Sequence, residues 1–86
     1  MNTLKLTLLE VMTVPKRKVV VAVVAITPPS LRIRTGITFR DPRGGRWRLE
    51  ELALTDVPPP PGQEMVALSP VGEQGSLEQG MELEQE

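Results

Sequence analysis

Leu31-Arg32-Ile33-Arg34-Thr35-Gly36-Ile37-Thr38-Phe39-Arg40 alternates apolar and polar residues, and Asp41-Pro42-Arg43-Gly44-Gly45 then interrupts it. After the break, Arg46-Trp47-Arg48-Leu49-Glu50-Glu51-Leu52-Ala53-Leu54 resumes the alternation. A period of two is the signature of a strand with one buried face. The interruption has turn chemistry, with a proline to fix φ and glycines free to take positive φ. Residues 31–54 therefore read as a β-hairpin. Trp47 and Leu49 share one phase and Leu52 and Leu54 the other, so a bulge near Glu50-Glu51 is expected to keep all four inward.

The same reading extends to the rest of the chain. Leu4, Leu6 and Leu8 alternate with Lys5 and Thr7, the phase slips at Leu8-Leu9, and Leu9, Val11 and Thr13 continue it. That pattern predicts a first strand with its own bulge or bend. Pro15-Lys16-Arg17-Lys18 is a polar turn, and the eight residues Val19–Ile26 that follow are β-branched or alanine throughout. Such a run is a strand buried on both faces or lying at a subunit contact. Thr27-Pro28-Pro29-Ser30 breaks the chain, and Asp56–Gly62, with four successive prolines, is a stiff connector or an SH3-type ligand. Gln63–Val71 reads as a further strand with Val66 and Leu68 inward. Met81 and Leu83 alternate with Glu82 and Glu84 in a short closing strand before a frayed acidic end. No stretch carries a 3.6-residue apolar stripe. The expected class is all-β: a small closed or partly open antiparallel barrel of six to seven strands, because closure removes open edges from a chain of only 86 residues. Residues 1–84 form the single barrel domain, and 85–86 an acidic C-terminal end.

The composition narrows the chemistry. There is no histidine and no cysteine, which removes the commonest general base, the commonest metal ligands and every Ser-His or Cys-His nucleophile pair. Glu50, Glu51 and Asp56 lack the Asp-x-Asp-x-Asp-Gly pattern of a hard-cation loop. The expectation is a non-enzymatic protein without a cofactor or metal. The longest apolar run is far short of the ~20 residues of a membrane-spanning helix. No secretory signal is expected, because Lys5 and Glu10 interrupt the N-terminal apolar residues. The reading is therefore a soluble, cytoplasmic protein with no membrane partner. Abundant arginine, a single asparagine and proline-stiffened loops lean toward a heat-adapted source, and four glutamines lean against it.

Charge is segregated. All ten basic residues lie in 1–48 beside only Glu10 and Asp41, and 49–86 hold nine acids and no base. Either the halves neutralise each other in the fold, or part of the basic half is an exposed anion-binding face. For the second reading, alternation sets Arg32, Arg34 and Arg40 opposite Leu31, Ile33 and Phe39, and sets Arg46 and Arg48 opposite Trp47 and Leu49. Hairpin pairing would bring these arginines to one face, where their planar forks suit phosphate. Lys16, Arg17 and Lys18 extend the set or form a basic turn. The ligand class is then RNA or a ribonucleoprotein. The alternative is a protein partner or a homodimer engaged through Val19–Ile26, if that strand lies at an edge; the simpler placement of the run is a central strand.

Four segments in order resemble the second-domain β-barrel of the translation GTPases, the elongation factor Tu family. They are Val11-Met12-Thr13-Val14, leading into a basic turn; Leu31–Phe39; Pro61-Gly62-Gln63-Glu64-Met65-Val66-Ala67-Leu68; and Leu77-Glu78-Gln79-Gly80-Met81-Glu82-Leu83. The resemblance spans about residues 8–84 and implies a translation-protein type of barrel standing as its own small protein. Its motifs are strand-and-glycine patterns, so what it implies is fold before function. The glycines that flank the family's second strand are absent here, and no phosphate-binding loop is present, so the chain is not itself a GTPase.

Overall fold

The computed structural model describes residues 3–14, 19–28, 33–52, 60–72 and 75–86. Six strands, β1 (Lys5–Val14), β2 (Val19–Thr27), β3 (Thr38–Arg40), β4 (Arg46–Leu52), β5 (Gln63–Pro70) and β6 (Glu82–Gln85), close into a barrel in the order β1-β2-β5-β4-β3-β6. Every neighbouring pair is antiparallel. The described residues contain no helix. The all-β, six-stranded closed barrel is thus the observed architecture.

Period-2 alternation builds the interior. Leu4, Leu6 and Leu8, then Val20, Ala22 and Val24, then Trp47 and Leu49, then Val66 and Leu68 point inward and are buried, with Phe39, Leu77 and Leu83. Val20, Leu68 and Leu49 sit opposite one another across three strands and form one layer of the core. Both expected bulges are present. The β1–β2 register shifts between Leu8 and Glu10, and the β4–β5 register between Leu49 and Glu51. Leu9 and Glu50 are the extra residues, and each lets the apolar phase on both sides of it face the core. The second bulge keeps Leu52 opposite Val66.

Three expectations change. The alternating stretch 31–39 becomes a strand only at Thr38–Arg40. Thr35 and Gly36 form a turn, with Gly36 at φ +90°, which ends the extended backbone. Ile33 and Ile37 still pack against the core from this irregular path, so burial is satisfied without a strand; Leu31 and Arg32 lie outside the described residues. The run Val19–Ile26 is neither buried on both faces nor an edge. β2 is paired on one side by β1 and on the other by β5, with Val20, Ala22 and Val24 inward and Val19, Val21 and Val23 half-buried outside. Finally, the C-terminal end is not frayed. The Gln85 N–H donates to Leu4 O at 2.9 Å and the Glu86 N–H to Thr38 O at 3.0 Å, so the end lies in the seam between β1 and β3. The proline connector falls mostly in 53–59, outside the described residues; Pro60–Gly62 closes it with a turn in which the Gln63 N–H donates to Pro60 O at 3.0 Å.

The β3–β4 turn is organised by Asp41. Its Oδ1 accepts the N–H groups of Arg43 at 2.8 Å and Gly45 at 2.9 Å, and its Oδ2 accepts the Trp47 indole N–H at 3.0 Å. A lone tryptophan placed in the core by its phase needs such an acceptor for its polar edge. Gly44 completes the turn at φ +89°, and a Cβ there would meet nothing within 4 Å. Gly44→Ala is therefore expected to cost about 1–2 kcal/mol through backbone conformation alone. Urea unfolding checks this: a loss with the slope unchanged is the expected result.

Candidate interaction surfaces

The arginine face is assembled in part. Arg40 and Arg46 are directly opposite on β3 and β4, and Arg48 lies opposite Thr38 on one side and Ser69 on the other. All three are exposed. Arg34 is exposed in the turn before β3 rather than in a strand row, and Arg32, Lys16, Arg17 and Lys18 lie outside the described residues. Like charges directly across a strand pair repel, and carboxylates answer them. Glu86 grips Arg46 with both oxygens, Nε to Oε1 at 2.7 Å and Nη2 to Oε2 at 2.9 Å, which raises the Arg46 pKa. Glu84 lies opposite Arg40 and pairs with Lys5 at 3.8 Å. Arg43 pairs with Glu78 at 3.4 Å. Each of these ion pairs joins a base of the first half to an acid of the second. The opposed charge blocks partly neutralise each other, and Arg34, Arg40 and Arg48 make no ion pair among the described residues.

A second surface lies on the other side of the barrel. On the outer face of β1, β2 and β5, Met12, Val21 and Ala67 form one cross-strand row, and Glu10, Val23 and Met65 the next. Ala67 is covered there, Val21, Val23 and Met65 are half-buried and Met12 is open, and a groove of about 330 Å³ is lined by Glu10, Val11, Met12, Val21, Val23, Met65 and Gln79. Met12 is 65% exposed, the one large hydrophobic residue left open among the described residues. Period 2 conceals this face in the sequence, because β2 is apolar in both phases and only its register shows which valines face out.

Beside the groove, part of β1 has a strand neighbour on one side only among the described residues. β1 pairs with β6 only over Lys5–Thr7, and the last contact of that ladder is at Leu8, whose N–H donates to Met81 O at 2.8 Å and whose O accepts the Gly80 N–H at 2.7 Å. From Glu10 to Val14, β1 is paired with β2 alone among the described residues. Val11 and Thr13, opposite Ala22 and Val20, share the inward phase of Leu8. Strand alternation therefore turns their N–H and C=O groups to the open side.

Among the described residues the carboxylates singled out in the sequence stand apart. Glu50 Oε1 accepts the Ser69 hydroxyl at 2.6 Å, Glu51 lies beyond the bulge, and Asp56 is outside the described residues. No three His, Cys, Asp or Glu side chains among the described residues come together as metal ligands. Glu64, opposite Val24, has Oε2 buried without a hydrogen-bond partner, but one carboxylate is neither an acid–base pair nor a ligand set. A smaller cleft of about 230 Å³ is lined by Lys5, Arg40, Asp41, Pro42, Glu82 and Glu84. Its opposite charges largely face one another. No helix among the described residues is long and apolar enough to cross a membrane.

No protein-family model matches the chain, and no curated protein or solved structure matches it either. The functional reading therefore rests on the two surfaces themselves.

Proposed function

We propose that this protein is a non-catalytic interaction domain that docks a protein partner on the outer face of β1, β2 and β5. The supporting observation is the apolar groove over β2, walled by Met12 and Met65 and floored by Val21 and Val23. An exposed contiguous apolar surface with a polar rim is characteristic of an interaction site, and methionine walls adapt to varied side chains. The contact differs from the strand addition expected for Val19–Ile26, since β2 has both neighbours; its side chains, not its backbone, meet the partner. Apolar docking is little screened by salt. Complexes recovered from cell extract at about 1 M salt, where the Debye length is about 3 Å, are expected to survive with Arg48→Glu and to be lost with Val23→Glu. Loss with Arg48→Glu and retention with Val23→Glu would reverse the assignment.

A second reading has one observation in its favour: Arg40, Arg46 and Arg48 share a face, and two of them have no ion-pair partner among the described residues. On that reading the chain is an RNA or ribonucleoprotein-binding module. The likeness to the translation GTPases' second domain supports it at the level of a closed antiparallel barrel. Engagement of two or three phosphates predicts that log K falls with log salt at a slope of about −1.5 to −2. A single-stranded RNA titration with no binding at low salt would remove this reading. Residence in the cytoplasm belongs to the same proposal.

A further inference from the structure

We infer that the open edge of β1 pairs with the β1 edge of a second copy of this chain, antiparallel and centred on Met12, to form a two-fold dimer. The inference goes beyond the reading of the β1-β2-β5 face as a docking surface: the edge of β1 borders that face, and pairing along the edge leaves the groove over β2 open to another partner. An unpaired strand edge is a template for another strand, and the stretch without a second neighbour among the described residues is short: Glu10 to Val14, with the backbone groups of Val11 and Thr13 turned away from β2. A two-fold axis at Met12 sets Val11 opposite Thr13 of the second copy, and Thr13 opposite its Val11. Each of these is a hydrogen-bonded pair, so the N–H and C=O groups of both residues find partners in both copies. No other register centred within the open stretch satisfies all of them.

The side chains agree with that register. Met12 falls opposite Met12 of the second copy in a non-hydrogen-bonded pair, the geometry that brings side chains closest. The outer row Val21 and Met12 then runs on into Met12 and Val21 of the second copy. Met12, the one large hydrophobic residue left open among the described residues, becomes the centre of this apolar row. Glu10, which makes no ion pair among the described residues, falls opposite Val14 of the second copy. Such a contact is isologous, as two-fold dimers require.

The absence of cysteine makes a direct test available. In a non-hydrogen-bonded antiparallel pair the Cα atoms are about 4.5 Å apart, within the range a disulfide spans. Met12→Cys is expected to oxidise to a covalent dimer at micromolar protein under mild oxidant, and Arg48→Cys to remain monomeric. Sedimentation of the wild type should show a concentration-dependent approach to twice the 9.5 kDa of one chain. Val11→Pro removes an N–H that β2 does not use, and should raise the dimer dissociation constant roughly 30-fold by deleting two inter-copy hydrogen bonds. Far-UV circular dichroism establishes that this variant is folded, and Met12→Lys, a fully surface change that sets two cations face to face, should weaken the dimer independently. A wild type that stays at 9.5 kDa up to millimolar concentration, or equal oxidation of Met12→Cys and Arg48→Cys, overturns the inference. If such a monomer still holds a salt-resistant partner that Val23→Glu releases, the docking surface stands and only the dimer is wrong.

Discussion

Phe39→Ala is expected to destabilise the protein by about 4 kcal/mol, the usual range for deleting a fully buried phenyl ring being about 3–5 kcal/mol. Phe39 has no exposed surface and belongs to the shortest strand. It stands opposite Trp47 on β4 and Gln85 on β6, so it packs at the seam where a three-residue and a four-residue strand complete the barrel. A domain of this size has roughly 5–15 kcal/mol in total. The same change should therefore lower Tm by roughly 16–30 °C. Phe39→Leu refills most of the space and should cost no more than about 1.5 kcal/mol. Urea unfolding followed by far-UV circular dichroism measures both. A loss below about 1.5 kcal/mol for Phe39→Ala would show that the short strands are not what holds the seam.

Asp41→Ala should cost about 3 kcal/mol, because it strands three donors at once. Asp41 is 5% exposed, and its carboxylate takes two turn N–H groups and the indole N–H of a buried tryptophan. Leaving a buried donor unsatisfied costs about 1–3 kcal/mol, and bonds to a charged acceptor lie at the upper end. Asp41→Asn keeps one acceptor but aims an amide N–H₂ at a donor, and should recover about half of the loss. pH gives a further test. Burial pushes the Asp41 carboxyl up, but the hydrogen bonds from Trp47, Gly45 and Arg43, with the Arg43 charge, outweigh it and hold the group below its ordinary value. A carboxyl lowered by folding contributes stability that is fully present above its unfolded pKa of about 3.9 and is lost as pH falls through the folded value. The wild type should therefore lose stability below about pH 4 more steeply than Asp41→Asn. Parallel acid profiles would show that Asp41 does not carry this charge-linked stability.

Some of this architecture is legible residue by residue. Both bulges can be read from slips in apolar phase, at Leu8-Leu9 and at Glu50-Glu51, because a one-residue slip without a bulge would turn the rest of the strand inside out. The Asp41–Gly45 turn follows from its proline and glycines. The end of β3 does not follow, since Ile33 and Ile37 keep their alternation across Gly36 while the backbone there leaves the strand. Burial sets which residues must face inward but not whether the path between them is extended. The indole acceptor had a readable signal, an inward tryptophan six residues after a turn aspartate. The open edge of β1 had none, because it arises from a mismatch in length between β1 and β6, strands far apart in the chain. The partner of Arg46 is hidden for a related reason: alternation places Arg46 outside but says nothing of Glu86, forty residues on, which grips it.

The central claim is that the valine–methionine face, and not the arginine face, meets the partner. Its most direct test is photo-crosslinking from single sites in the full chain, with a diazirine side chain in place of Met12 in one protein and of Arg48 in the other. The account predicts a discrete polypeptide adduct from position 12, whether a second copy or another protein, that persists at high salt and is lost with Val23→Glu, with no comparable adduct from position 48. An RNA adduct from position 48 with none from position 12 would contradict it.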